Sequence, residues 1–285
     1  MASEALRRRR ASAYRAGTGL DAAIGACRRL AANGLACTVG YAAMPGEQPR
    51  AVADAQLAAF ERLAAEDLDG HVSVKLSGLM FDADLLAELD AAAARTSRPL
   101  HVDALAPETV DPTWALLETI PLAGDVGTTL PGRWRRSAED ASLAARLGLR
   151  VRVVKGQWAA GGVGDVDPAA GFLAVVDRLC GHDRCVGVAT HDVKLLEASL
   201  RRLMAAGTPA TAELYFGLPF RAPAAAARRL GVPIRIYVAY GDASAPYAAR
   251  DAARKPAAAW WLFQDVLLGK DKTWVSIRRS RLRPS

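Results

Sequence analysis

Two spacings of apolar residues take turns along this chain. Short runs rich in β-branched and aliphatic residues have the length of strands. They fall at residues 36–41 (ACTVGY), 71–77 (HVSVKLS), 99–105 (PLHVDAL), 125–130 (DVGTTL), 149–156 (LRVRVVKG), 186–192 (VGVATHD), 210–217 (ATAELYFG) and 234–241 (IRIYVAYG). Alanine-rich stretches with the period of a helix separate them, at residues 51–67, 82–95, 137–147, 168–180, 193–206 and 222–230. A further helical stretch, 19–33, precedes the first strand, and another, 247–268, follows the last.

Eight strands alternating with helices long enough to cross back over a sheet are what a closed parallel barrel requires. An open doubly wound sheet would use fewer strands and carry a glycine fingerprint after the first one, and none is present there. The expected fold class is therefore α/β, a (β/α)₈ TIM-like barrel with an extra N-terminal helix. The expected boundaries are a basic tail at 1–13, the barrel at 14–270 and a second basic tail at 271–285.

In such barrels the chemistry sits at the C-terminal ends of the strands, where side chains converge on one mouth. That rule selects Lys75 and Ser77, Asp103, Thr129, Arg152 and Lys155 on the first five strands. On the last three it selects Thr190, His191 and Asp192, then Glu213 and Tyr215, then Tyr237 and Tyr240. Cations, an acid and a histidine at one mouth suit an anionic ligand.

Composition narrows the class further. Half of the 285 residues (51%) are hydrophobic, enough for a sizeable core, yet no run approaches the roughly 18 apolar residues of a membrane span, and no apolar leader opens the chain. A cytoplasmic location is the expectation. Four cysteines without framework spacing are expected to be reduced, and no metal site is expected. The net charge of +7 comes largely from Arg7 to Arg10 and from Arg278, Arg279, Arg281 and Arg283. These tails are read as solvated, with peripheral contact to an acidic membrane as their other use; no nucleic-acid partner is expected.

The strand ends VSVKLS, VRVVKGQW, VGVATHD, AELYFG and IRIYVAYG, followed by YAARDAARKP, resemble in order and spacing the proline dehydrogenase family, from about Tyr14 to Leu268. The resemblance implies a distorted barrel holding FAD, with hydride passing from the carbon beside an amine nitrogen to the flavin and an imine as product. It implies that Arg152, Lys155, Thr190, His191 and Asp192 bind the cofactor. It further implies that Lys75 pairs with a substrate carboxylate, that Asp103 orients a neighbouring arginine, that Tyr237 lines the pocket, and that Arg250 is the first of a double-arginine carboxylate clamp.

Several positions depart from the family pattern. The second arginine of the clamp is Asp251, and the glutamate a turn later is Arg254. A flavin-contacting glutamine after strand four is Pro131, the small alanine and tyrosine after strand five are Gln157 and Trp158, and a pocket leucine is Tyr215. The pocket is thus bulkier on one side and more polar.

The leading expectation is a flavin-dependent dehydrogenase acting on a small amine or amino acid, a proline analogue or an N-substituted amino acid, with a quinone or oxygen as electron acceptor. Ordinary L-proline oxidation and N–N oxidation of a hydrazine-type substrate use the same hydride geometry. A Schiff-base lyase working through Lys75 or Lys155, and a barrel without catalysis that serves as a binding partner, are the readings from other classes.

Overall fold

The computed structural model describes residues 15–103, 106–160 and 164–241. Helix α1 (Leu20–Ala31) leads into β1 (Ala36–Tyr41), and the alternation continues through α2 (Pro49–Ala65), β2 (Gly70–Val74), α3 (Ala83–Thr96) and β3 (Leu100–Val102). Helix α4 (Val110–Thr119), β4 (Val126–Pro131), α5 (Ser137–Arg146) and β5 (Arg150–Val154) follow. The described chain ends with α6 (Pro168–Arg178), β6 (Val186–Ala189), α7 (Val193–Ala205), β7 (Ala210–Tyr215), α8 (Arg221–Arg229) and β8 (Ile234–Tyr240). All eight strands are parallel in sequence order, and β8 closes on β1 from Ala36↔Arg235 to Tyr41↔Tyr240. The expected (β/α)₈ barrel and its extra N-terminal helix are both present.

Strand alternation divides the side chains into two sets. Val72, Val74, Val151, Val153, Val186, Val188, Ile236 and Val238 point outward and are buried beneath the helices. Their neighbours point into the lumen, as cross-barrel contacts demonstrate: Arg150 on β5 reaches His71 on β2 at 3.2 Å, and Arg152 reaches Asp103, just past β3, at 3.0 Å. The apolar core is therefore the sleeve between strands and helices. Branched aliphatic residues fill the interior of most such barrels; here polar and charged groups occupy it.

Local signals set several helix starts. Asp82 caps α3 by accepting from the amides of Asp84 and Leu85, and Asp167 caps α6 from Ala169 and Ala170, with Pro168 in the first turn where its missing N–H costs nothing.

The structure corrects some expectations. Strand β2 stops at Val74, and the chain turns through a short 3-10 helix, Leu76–Leu79, so Ser77 is not a strand residue. Helix α4 was not foreseen. Tyr240, read as a mouth residue, points outward: its hydroxyl donates to the Ala55 carbonyl on α2 at 3.0 Å and its ring lies 5.2 Å from that of Tyr41. It shares the outward, even-numbered face of β8 with Ile236 and Val238 and is the register partner of Tyr41, whereas Tyr237 belongs to the inner face. The helix expected at 247–268, both tails, Arg250, Asp251 and Arg254 lie outside the described residues.

No helix among the described residues is long and apolar enough to cross a membrane.

Asp90 on α3 is buried and accepts from the backbone amides of Ala123 (2.6 Å) and Gly124 (3.0 Å), which fastens the loop entering β4. Asp90→Ala is expected to lower the unfolding free energy by about 1–2 kcal/mol, because two part-buried amides lose a charged acceptor. Urea unfolding with an unchanged slope checks this; a loss below about 0.5 kcal/mol would mean that water replaces the carboxylate.

Candidate functional site

Alternation places Arg152, Glu213, Tyr215 and Tyr237 on the inner faces of β5, β7 and β8, with Asp103 just past the end of β3. They meet inside the barrel. The Arg152 guanidinium donates from Nε to Glu213 Oε2 at 2.5 Å and from Nη1 to Asp103 Oδ1 at 3.0 Å. Asp103 also accepts from Ser73 Oγ at 2.5 Å and from Thr129 Oγ1 at 2.6 Å. Thr129 Oγ1 in turn lies 2.9 Å from His101 Nε2. Tyr237 stacks on Tyr215 with ring centroids 5.3 Å apart and planes 16° from parallel, and the Arg152 guanidinium carbon is 5.4 Å from the Tyr237 centroid. That is a cation–π arrangement.

Glycines make this crowding feasible. A Cβ on Gly40 would stand 2.1 Å from the Tyr237 hydroxyl, one on Gly127 2.8 Å from His101 Nδ1, and one on Gly187 2.2 Å from Glu213 Oε1. Each large polar side chain crosses the lumen over a strand position that has none.

Burial and charge compete at every group. For Asp103, burial works to raise the pKa, but the Arg152 charge leads a group of opposing effects that includes Lys75 and the Ser73 hydroxyl, and the result is about 2. Burial would make Arg152 easier to deprotonate, but Glu213 and Asp103 more than offset it and hold the guanidinium charged. His101 is kept neutral by burial and then by Arg152; His71 is kept neutral by burial, Arg235 and Arg150. Burial raises Tyr215, so its phenol stays protonated.

The remaining sequence candidates form a rim around this floor. Lys75 is exposed immediately after β2. Lys155, after β5, pairs with Asp192 at 2.9 Å, and that contact leads the effects that lower the Asp192 pKa. Asp192 Oδ1 also accepts from the Leu195 amide and so caps α7, while Thr190 Oγ1 accepts from the Asp192 amide. His191 uses both ring nitrogens within the chain. Nε2 accepts from the Tyr215 amide at 3.0 Å, which leaves Nδ1 to donate to the Pro219 carbonyl at 3.1 Å, so the imidazole staples the end of β6 to the loop after β7. Gln157 is exposed, and Trp158 is half-buried against the core with its carbonyl accepting from Trp134 Nε1. Pro131 packs close to Gly156, whose positive φ of 88° and tight approach to the Pro131 and Arg133 side chains exclude a Cβ. Arg250 and Asp251 lie outside the described residues.

The structure places Asp103 in an ion pair with Arg152 at 3.0 Å. Four participants were not assigned a role from sequence: Glu213, Ser73, Thr129 and His101. A signal for Ser73 and His101 existed. In 71–77 and 99–105 the polar residues sit at every second position, and since helices cover a barrel's outer face, that polar face must be the lumen.

Among the described residues no group of His, Cys, Asp and Glu could hold a metal ion. One feature of the site suits a ligand that accepts hydrogen bonds. Arg152 Nη2 is buried with no partner among the described residues, a cationic donor awaiting an acceptor. It lies beside hydroxyls and aromatic faces, with rim cations above.

No family model matches the chain, and no curated protein matches it in sequence. Solved structures do share its fold. Proline utilization A (PutA) from Bdellovibrio bacteriovorus, inactivated by N-propargylglycine, is 14% identical with a TM-score of 0.74 over 97% of this chain and 36% of its own. PutA from Corynebacterium freiburgense is 17% identical with a TM-score of 0.68, covering 98% of this chain and 33% of that one. The D779W mutant of Bradyrhizobium japonicum PutA gives 17% and 0.61 over 77% and 28%. The chain thus spans about a third of the length of these proteins, and the fold likeness runs in the direction the sequence resemblance pointed.

The buried neutral histidines make stability depend on pH. His71 and His101 bind a proton less readily folded than at the ordinary value of 6.5, so their contribution is complete above that value and is lost as pH falls below it. Each adds a slope of about 1.4 kcal/mol per pH unit below the ordinary value. Asp103 acts with the same sign only between its ordinary 3.8 and about 2. Unfolding free energies measured from pH 7.5 to 5 are expected to fall steeply; a flat profile would mean that the histidines are protonated in the folded chain.

Proposed function

We propose that the chain is a flavin-dependent dehydrogenase that oxidises the C–N bond of a small amine or imino acid to an imine, with FAD bound across the strand ends. The observation that carries this reading is the buried Arg152, fixed between two carboxylates with Nη2 unpartnered among the described residues, in a fold shared with PutA.

FAD, when bound, supplies the two-electron acceptor that takes the hydride; the protein's part is binding, alignment and electrostatics. Arg152 and Lys155 would hold the cofactor by charge, with Thr190 and the segment at Asp192 beside it. His191 would serve by placing that segment, since its nitrogens are already engaged. Tyr215 and Tyr237 would form the wall against which the substrate lies, and their stacking keeps that wall flat. Lys75, exposed at the rim, would meet a substrate carboxylate together with Arg250. Asp251, where the family has a second arginine, would receive a cationic group of the substrate, which favours an N-substituted amino acid over proline itself. The electron acceptor would be a quinone or oxygen.

A Schiff-base role for Lys155 is disfavoured by its surroundings. Its side chain is 42% exposed and ion-paired with Asp192, the opposite of the dry apolar setting that activates such lysines.

The test is an absorption spectrum of the purified protein, then anaerobic addition of L-proline and of N-substituted amino acids, and incubation with N-propargylglycine. A yellow protein bleached by an N-substituted amino acid but slowly or not at all by proline, and covalently inactivated by N-propargylglycine, is the expected result. Preferential bleaching by L-proline would overturn the altered specificity, and a protein unable to take up FAD would overturn the flavoenzyme reading.

A further inference from the structure

Glu213 has no role in the reading above, yet the lumen is built around it. Strand β6 lies between β5 and β7, and Gly187 on β6 is the register partner of both Arg152 and Thr211. A side chain at 187 would stand between Arg152 and Glu213: even a methyl group there would come within 2.2 Å of Glu213 Oε1 and 2.8 Å of its carboxyl carbon. The chain keeps this lane open, and the carboxylate reaches across the intervening strand to the Arg152 Nε at 2.5 Å. Asp103 takes Nη1 from the other side, and Nη2 has no partner among the described residues.

A guanidinium is planar, so two carboxylates on two of its nitrogens fix both its position and the plane in which the third nitrogen lies. They also set its net charge. Two carboxylates against one guanidinium leave the cluster at minus one, inside a space from which water is largely excluded.

We infer that Glu213 is the positioning residue for Arg152: through the gap at Gly187 it fixes the guanidinium with Nη2 turned free for a ligand, and it makes the cluster beneath that ligand net negative. The second half rests on the proposed flavin; the first does not. A net negative floor disfavours added electron density on a ring above it, so a flavin here has a lower reduction potential than a lone arginine would give.

Glu213→Gln keeps the size and an acceptor oxygen but removes the charge. Glu213→Ala removes both, and Gly187→Ala obstructs the reach while leaving the carboxylate in place. In the flavin-free protein, the side-chain Nε–H resonance of Arg152, assigned by its disappearance in Arg152→Lys, is expected to be downfield and slow to exchange. It is expected to move upfield in Glu213→Gln and to exchange fast in Glu213→Ala and Gly187→Ala. In the flavin-loaded protein equilibrated with a reference dye, Glu213→Gln is expected to raise the ratio of reduced to oxidised flavin about tenfold, equal to about 30 mV for a two-electron couple.

An Nε–H resonance unchanged in a folded Glu213→Gln protein would overturn the positioning role whether or not flavin binds. An unchanged dye equilibrium would overturn the charge-setting role. Wild-type protein that takes up no flavin would sink the proposed function and the charge-setting half with it, and the Nε–H comparison would still decide the positioning role. If a variant does not fold, Glu213→Gln, which keeps volume and hydrogen bonding, is the one that decides.

Discussion

Burying the Arg152 guanidinium inside a barrel is the constraint to which the rest of the lumen answers. A charge of that size withdrawn from water is tolerated only with close counter-charges and filled hydrogen bonds, and removal of one partner of such a pair costs about 3–5 kcal/mol. Asp103 and Glu213 supply the counter-charges. Asp103 then needs its own remaining lone pairs filled, which Ser73 and Thr129 do, and Thr129 brings in His101. The polar interior is a consequence that spreads outward from one cation, strand by strand.

The same constraint explains where side chains are missing. A lumen of eight strands has room for one layer of large side chains only if their neighbours are small. Gly40, Gly127 and Gly187 stand where Tyr237, His101 and Glu213 pass. Packing and electrostatics are therefore one problem here: a methyl group on Gly187 would be a steric fault whose main effect is electrical, since it would part Glu213 from Arg152. The outward faces of the same strands carry no such burden, and ordinary aliphatic packing against the helices holds the barrel closed.

The fold was readable because each strand announces its apolar outer face. The first strand was placed at 36–41, as observed, and seven of the helical stretches agree with the structure to within a few residues. Boundaries at the mouth were less readable. HVSVKLS continues to alternate past Val74, but the chain turns there into a 3-10 helix, and alternation cannot distinguish a strand from a loop that keeps the same rhythm. Helix α4 begins VDPTW, where a β-branched residue and a proline mask a helix whose proline falls in the first turn and is harmless there. The site was partly readable: Asp103, Arg152 and Tyr237 stand together as the strand ends suggested. Glu213 was noticed only as a polar residue at a strand end, because its partner is two strands away and the lane at Gly187 exists only in three dimensions.

The arrangement separates two tasks. Asp103, Arg152 and Glu213 form a floor too buried and too interlocked to rearrange when a small molecule arrives, and Tyr237 and Tyr215 lean on it through the guanidinium and each other. Lys75, Lys155, Asp192 and Thr190 stand above on segments that follow the strands, with Asp192 both capping α7 and holding Lys155. The two sets are held by different bonds, although the Lys75 charge still acts on Asp103 below it. Tyr215 lies at the border of the two: its ring stacks on Tyr237, and its backbone amide is held by His191 Nε2. What the floor leaves over is Arg152 Nη2, buried and without a partner among the described residues: a donor whose plane two carboxylates have already fixed is set in direction before any acceptor reaches it.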